Sequence, residues 1–489
     1  MTQYLLALDQ GTSSSRALLV DRGARVVARS GATFACHFPH PGWVEADANA
    51  IWETQRAAID GVLSAAGVDL RSIAAIGITN QRETLVAWDK TSGEALAPAI
   101  VWQCRRSAPF CNSLEERGKA AWLQARTGLV IDPYFSASKM RWLLDNHPRI
   151  ATLAERGELA FGTIDAWLIH RLTAGQAHLT DASNASRTQL MDLDRGAWDP
   201  ALLDLYGIPA STLPRIVDSA GVVAQTDVAF GARIPIAGIA GDQQAALFGQ
   251  GCVRPGMAKN TYGTGCFMLL HTGQRLHSQH GLLSTLAWQI GGVRSYALEG
   301  SVFMAGALVQ WLRDGLGLIA SSAESEALAN AVDDNGGVHV VPAFTGLGAP
   351  HWNSSARGLI TGLTRGTGRA HIVRAALEAV AWQNADVLRA MIADGASIDA
   401  LRIDGGMTGN RFLCQFQADA LGIPIACAAE PESTALGAAL LAGIGIGWWP
   451  TPEATAALWR GREHYQPTWT AEQRAAASDA WIAAVRRAL

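Results

Sequence analysis

Residues 4–20, YLLALD-QGTSSSR-ALLV, hold a continuous apolar run closed by Asp9, a polar turn, and a second apolar run from Ala17 to Val20. Apolar runs of this length bounded by turn residues read as a buried strand and its returning partner. Working outward, Asp47 is placed to cap a helix whose apolar stripe includes Ile51, Ile59, Val62 and Leu63, and Ile73 to Thr79 reads as another buried strand. Strands interleaved with helices predict an α/β lobe. A similar pattern restarts past mid-chain. Ile234 to Ala240 is strand-like and ends at Gly241-Asp242, and Ala258 to Leu270 is a hairpin candidate around Gly263-Thr264-Gly265. Two related halves are therefore expected, although the repetition lies in pattern and not in residue identity. Gly249, Gly251, Pro255 and Gly256 interrupt both periodicities, so the division falls there, giving segments 1–249 and 250–489.

The bulk properties narrow the class. A chain of 489 residues exceeds one ordinary core, and 49% hydrophobic against 17% charged residues supplies ample surface to bury. A net charge of -4 gives no general attraction to nucleic acid or anionic lipid, so any phosphate binding must be local. The start, Met1 to Asp9, lacks a basic region and a cleavage site and runs directly into the first strand, which predicts a cytoplasmic address. Ala435 to Trp449 is the longest apolar tract, but it is shorter than a membrane span and interrupted by Gly437, Gly443, Gly445 and Gly447. It reads as a packed core helix and its exit. Seven cysteines with no CxxC pair fit reduced thiols better than a disulfide framework or a zinc site.

Phosphate chemistry needs exposed backbone N–H groups, a carboxylate to hold a metal, and a base near the acceptor hydroxyl. No GxxxxGK[ST] segment and no GxGxxG after a strand occurs, so a different cradle is required. Asp9 with Gly11 and Thr12 to Ser15 supplies an acid, amides and hydroxyls suited to a hydrated magnesium ion; by itself the stretch is equally an ordinary polar hairpin. Gly263-Thr264-Gly265 is a possible matching clamp or simply a turn. Asp404-Gly405-Gly406, followed by Asn410, is a tight turn whose glycines let a ligand approach the backbone, and a purely structural turn fits it as well.

Taken together, LDQGTSSSR (8–16), GITNQRE (77–83), IVWQCRR (100–106), TGLVIDPYFSASK (127–139), GIAGDQQAALFGQ (238–250), KNTYGTGCF (259–267), ALEGSVFMAGA (297–307) and PAFTGLGAPHW (342–352) occur in order. They resemble the FGGY carbohydrate kinases of the actin and Hsp70 ATPase superfamily, and within them the branch acting on glycerol. The resemblance extends over nearly the whole chain and implies an α/β fold of two ribonuclease-H-like, actin-like ATPase lobes with the active site in the cleft between them. The implied reaction is ATP-dependent phosphorylation of glycerol to sn-glycerol 3-phosphate. Polyol contacts carry over to Arg82, Glu83, Trp102, Tyr134, Asp242, Gln243 and Phe267. A charged donor and acceptor suit adjacent hydroxyls, while aromatic faces cover the carbon edge.

The resemblance further implies that Asp242 is the general base, with a helix cap as its alternative role, and that Asp9 and Asp242 organise Mg2+. Thr12, Ser13, Ser14 and Arg16 would line the phosphate path, and Gly263, Thr264, Gly306, Gln310, Gly406 and Asn410 would hold the nucleotide. A homodimer or homotetramer is expected, with neither nucleic acid nor a membrane as partner. Another polyol or pentulose kinase of the family is the nearest rival, and NQRE with WQCRR, on the substrate side, argues against it. A nucleotide-switched, non-catalytic ATPase would have no use for Arg82 beside Glu83. Relatives inhibited by fructose 1,6-bisphosphate carry a glycine-rich basic loop where this chain has Thr226 to Ala232 before Arg233, so little inhibition is expected. Thr468 to Arg474 likewise gives no match to a phosphotransferase-partner site.

Overall fold

The computed structural model describes residues 3–227, 230–353 and 355–489. Val228 and Ala229 of the segment before Arg233, and Met1 and Thr2 of the start, lie outside the described residues. The N-terminal half contributes β1 (Tyr4–Gln10), β2 (Ser14–Val20), β3 (Val26–Thr33), β4 (Ile73–Asn80), β5 (Ala220–Gln225) and β6 (Pro235–Gly241). The C-terminal half contributes β7 (Met257–Tyr262), β8 (Cys266–His271), β9 (Leu283–Ile290), β10 (Val293–Val302), β11 (Ala400–Asp404), β12 (Ile425–Ala428) and β13 (Gly461–Tyr465). Among the described residues these thirteen strands form one mixed sheet, in the order β13-β12-β11-β7-β8-β10-β9-β5-β6-β4-β1-β2-β3.

The order contains a repeat. In the first half, β1, β2 and β3 are successively antiparallel, while β4 runs parallel to β1 and β6 parallel to β4. In the second, β7, β8 and β10 are successively antiparallel, while β11 runs parallel to β7 and β12 parallel to β11. What the sequence offers only as a pattern is thus the same strand order used twice. The halves join through a narrow parallel pairing, Ala220 with Ile290.

Helices follow the strands where the caps predict. Asp47 caps α1 (Ala48–Ala66), its side chain accepting from the Asn49 N–H at 2.8 Å. Five further helices bear on the site: α2 (Asp242–Gly249), α3 (Gly306–Gln310), α4 (Arg369–Ala393), α5 (Arg411–Leu421) and α6 (Ser433–Gly445). Packing crosses the division expected near residue 249. α6 belongs to the second half by sequence, yet a Cβ at Gly77 of β4 would lie 2.2 Å from the Ala438 carbonyl oxygen. α6 also crosses α2 so closely that a Cβ at Gly437 would meet the Ala245 carbonyl oxygen at 1.8 Å. Glycine is needed at both positions because any side chain would push the layers apart. Among the described residues the result is one large apolar core within each half and smaller clusters that mix them, in the largest of which Leu5, Ala7 and Leu18 pack with Leu247, Phe248, Leu269 and Leu441.

Candidate active site

Arg82 and Glu83 follow β4 after a single residue, Gln81, and Glu83 adopts a left-handed backbone with φ 61°. A non-glycine residue held there carries local strain that its surroundings must offset. They do so with charge. The Arg82 guanidinium grips Glu299 of β10 with both ends, Nη1 donating to Oε2 at 2.5 Å and Nη2 to Oε1 at 3.1 Å. Arg187 donates from Nε to Glu83 Oε1 at 2.7 Å and from Nη2 to Glu299 Oε1 at 3.0 Å. All four side chains are buried. Burial pushes the Glu299 carboxyl up, but Arg187 and Arg82 together outweigh it and hold the group at about 2. For Glu83 burial wins over the same two arginines and its carboxyl sits above the ordinary range.

Aromatic groups wall this cluster. Trp102 and Tyr134 meet edge to face with ring centroids 5.5 Å apart, and the Tyr134 hydroxyl lies 3.5 Å from Arg82 Nη2. Burial pushes that hydroxyl well above its usual range, so it remains neutral and accepts from Arg82. Trp102 Nε1 donates to Thr12 Oγ1 at 3.0 Å, tying the aromatic pair to the turn after β1. Phe267 is half-buried on β8, between its partners Thr261 and Ser301.

Asp242 opens α2, and its carboxylate bonds within its own turn, Oδ1 accepting from the Gln243 N–H at 2.8 Å. Arg82 Nε stands 3.2 Å from Asp242 Oδ1 in charge contact without hydrogen-bond alignment, leaving Nε a buried, unpartnered N–H. Gln243 donates to Asp242 Oδ2 at 3.3 Å and accepts from Lys259 Nζ at 2.5 Å. Lys259 is fully buried, and desolvation lowers its ammonium to about 8 against the pull of Asp404 and Asp242.

Asp9, at the end of β1, is pushed up to about 7. Burial is the main cause; Arg16 opposes it, and Glu432 and Asp242 add to it. Arg16 divides its charge, with Nη1 2.8 Å from Glu432 and 3.8 Å from Asp9. In the turn, Gly11 N–H donates to the Ser14 carbonyl at 2.8 Å, while Ser13 is exposed and Thr12 and Ser14 are half-buried.

On the C-terminal side the β7–β8 turn seats on the start of α3. Gly306 N–H donates to the Gly263 carbonyl at 3.0 Å and Ala305 N–H to the Thr264 carbonyl at 2.9 Å. Gly405, at φ 93°, presses on the end of β7, where a Cβ would meet the Tyr262 carbonyl at 2.3 Å, whereas Gly406 faces open space. Gln310 stands exposed at the other end of α3. Asn410 caps α5, Oδ1 accepting from the Leu413 N–H at 3.0 Å and Nδ2 donating to Ser325 Oγ at 3.2 Å. Arg187, Glu299 and Lys259 are the site residues that the sequence reading leaves unassigned, although Glu299 and Lys259 sit inside quoted motifs. A charge inside a strand-like run is the signal that could have found Glu299 on β10 and Lys259 on β7, whereas Arg187 lies in a turn and gives none.

The sequence matches the FGGY family of carbohydrate kinases, its N-terminal domain over residues 4–249 and its C-terminal domain over residues 258–446. The chain belongs to this family. A glycerol kinase of Symbiobacterium thermophilum is 55% identical over 488 residues, covering 99% of this chain and 98% of that one. The crystal structure of Plasmodium falciparum glycerol kinase with ADP superposes with a TM-score of 0.94 at 35% identity, covering 100% of this chain and 98% of the other. A xylulose kinase of Rhodospirillum rubrum also superposes, at TM-score 0.88 and 26% identity over 99% of each chain. The two-domain FGGY fold is therefore common to kinases of different substrates, and the side chains at the site must distinguish them. Among the described residues no helix is long and apolar enough to cross a membrane.

Proposed function

We propose that the chain is an ATP-dependent glycerol kinase. The observation that carries this reading is a buried charge cluster beside the Trp102–Tyr134 ring pair, in which Arg82 Nε is unpartnered 3.2 Å from Asp242 Oδ1. A compact triol supplies both a hydroxyl for that N–H to donate to and a proton for that carboxylate to take. The terminal hydroxyl oxygen attacks the γ-phosphorus in line, the bond to the bridging oxygen of ADP breaks, and the hydroxyl proton passes to Asp242. Products are sn-glycerol 3-phosphate and ADP.

Mg2+ fits the acidic side of the pocket. Among the described residues no group of three or more His, Cys, Asp or Glu forms a cage, but magnesium commonly uses only one or two carboxylates besides water and phosphate oxygens. Asp9 and Asp242 would hold it, Asp9 directly or through water, and Asp9 is a buried acid that its lone Arg16 does not fully compensate. When bound, the ion neutralises charge on the transferring phosphate. Thr12, Ser13, Ser14 and Arg16 line the phosphate path. Gly263, Thr264, Gly306, Gln310 and Gly406 meet the nucleotide, and Asn410 supports it from the cap of α5. Division into lobes 1–249 and 250–489, a cytoplasmic address and a homo-oligomeric state complete the reading.

A coupled assay for ADP release across glycerol, erythritol, dihydroxyacetone, xylulose and gluconate tests it. Glycerol gives the highest kcat/KM; faster turnover on xylulose or gluconate overturns the assignment.

A further inference from the structure

The polyol contacts assigned above come almost entirely from the N-terminal half, yet the charge that orients them does not. Glu299 lies on β10 of the C-terminal half, paired to Leu269 on one side and Leu283 on the other, and is fully buried. Its Oε2 accepts from Arg82 Nη1 at 2.5 Å, and its Oε1 accepts from Arg82 Nη2 at 3.1 Å and Arg187 Nη2 at 3.0 Å. Gln244 and Tyr134 take up the remaining reach of Arg82 Nη1 and Nη2, at 3.3 and 3.5 Å. Two N–H groups are left over in this closed network, Arg82 Nε and Arg187 Nη1, both buried without a hydrogen-bond partner. Buried donors are rarely left in that state without a ligand or a strain role. A planar guanidinium gripped at both ends can turn only if its carboxylate turns, so the two Glu299 oxygens decide which edge of Arg82 faces Asp242.

Building on the proposed function, we infer that Glu299 is a positioning residue for polyol binding: it locks Arg82 with Nε toward the acceptor hydroxyl and, through Arg187, sets the carboxylate of Glu83. The polyol pocket is then completed by the opposite half of the molecule. Glu299→Gln keeps the shape but replaces one acceptor oxygen with an amide that points donor to donor at an arginine. Arg187→Lys keeps the charge but loses the fork that bridges Glu83 to Glu299.

The test measures glycerol and ATP kinetics and melting curves for the wild type, Glu299→Gln, Glu299→Asp and Arg187→Lys. In Glu299→Gln, KM for glycerol rises about 10- to 100-fold, as for lost charge-assisted hydrogen bonds. Its KM for ATP stays within about twofold, since Glu299 touches none of the nucleotide residues. Glu299→Asp, which retains the charge on a shorter arm, recovers part of that loss, and Arg187→Lys raises KM for glycerol alone. A purely structural role lowers the melting temperature and the active fraction without moving KM. A folded Glu299→Gln enzyme with KM for glycerol within about threefold of wild type overturns the positioning role, as does failure of all three variants to fold. A wild type that releases no ADP with glycerol refutes the functional reading instead, so the two failures are distinct.

Discussion

In the cluster proposed to orient the polyol, Arg82, Glu83, Arg187 and Glu299 are at most 2% exposed and neutralise one another. On the side proposed for the nucleotide, Gly263, Thr264 and Gly406 are exposed and offer backbone with little side chain. The difference is one of preorganisation. Removing one member of a buried ion pair leaves an uncompensated charge and costs about 3–5 kcal/mol, so the polyol cluster is tolerant only of changes that keep charge and shape. Turns built from glycine tolerate altered neighbours but not an added Cβ where the backbone is already in contact. Substitutions that preserve shape on one side, and add a methyl on the other, therefore probe the contrast.

The largest effect belongs to Asp242, where the two sides meet. Asp242→Asn keeps volume and the bond from the Gln243 N–H but cannot take up a proton. Single-turnover phosphorylation at saturating substrates falls by about 10²–10⁴-fold, with the melting curve little changed. Retention of more than about a tenth of the rate would remove Asp242 from the chemistry.

Asp9 comes next and separates function from stability. Its carboxyl titrates at about 7 when folded against 3.8 for the ordinary group, so between those values the folded state holds the proton more tightly. The sign follows from linkage: stability falls as pH rises from about 4 through 7, because the buried acid must then ionise. Asp9→Asn removes that slope. Without metal or nucleotide it melts above wild type at pH 8 and close to it near pH 4, while its activity drops by about 10²-fold or more. Melting below wild type at pH 8 would contradict the burial argument.

Gly405 and Gly406 sharpen the nucleotide side. Gly405→Ala forces a Cβ to 2.3 Å from a carbonyl at a φ of 93°, and costs on the order of 1–3 kcal/mol with a raised KM for ATP. Gly406→Ala meets nothing in the protein, so stability stays within about 0.5 kcal/mol and any rise in KM for ATP reports the ligand alone. Equal destabilisation by the two would show that open space at Gly406 is not what distinguishes them.

The same contrast governs what could be read from the amino-acid sequence. Local signals were legible: the run 4–9, the cap Asp47 and the turn 263–265 each declare themselves within a few residues. Motif residues such as Arg82 and Asp242 were legible because their neighbours resemble a family. Glu299 and Arg187 were not assigned, since their partners lie 217 and 104 residues away and no local period records a charge pairing across the sheet. The packing of α6 on the opposite half was hidden for a related reason: Gly77 and Gly437 look like ordinary small residues until the layers meet.

Asn410 gives the smallest effect and the finest test, because both ends of its amide are already used inside the protein. Oδ1 caps α5 through the Leu413 N–H, and Nδ2 holds Ser325. Asparagine and aspartate cap equally well, whereas alanine forgoes the bond at a cost of about 1 kcal/mol. Asn410→Ala therefore lowers the melting temperature by a few degrees, while Asn410→Asp leaves it near wild type. The two variants divide the possible roles at the nucleotide. If Asn410 acts by holding the start of α5 in place, Asn410→Asp keeps KM for ATP within about twofold while Asn410→Ala raises it modestly, in step with the lost cap. If the amide instead releases Ser325 to donate to the nucleotide, Asn410→Asp is the worse of the two, since it puts a carboxylate where a donor is needed next to phosphates or a ribose. The geometry favours the first outcome, and the order of the two KM values, measured beside the melting curves, decides between them.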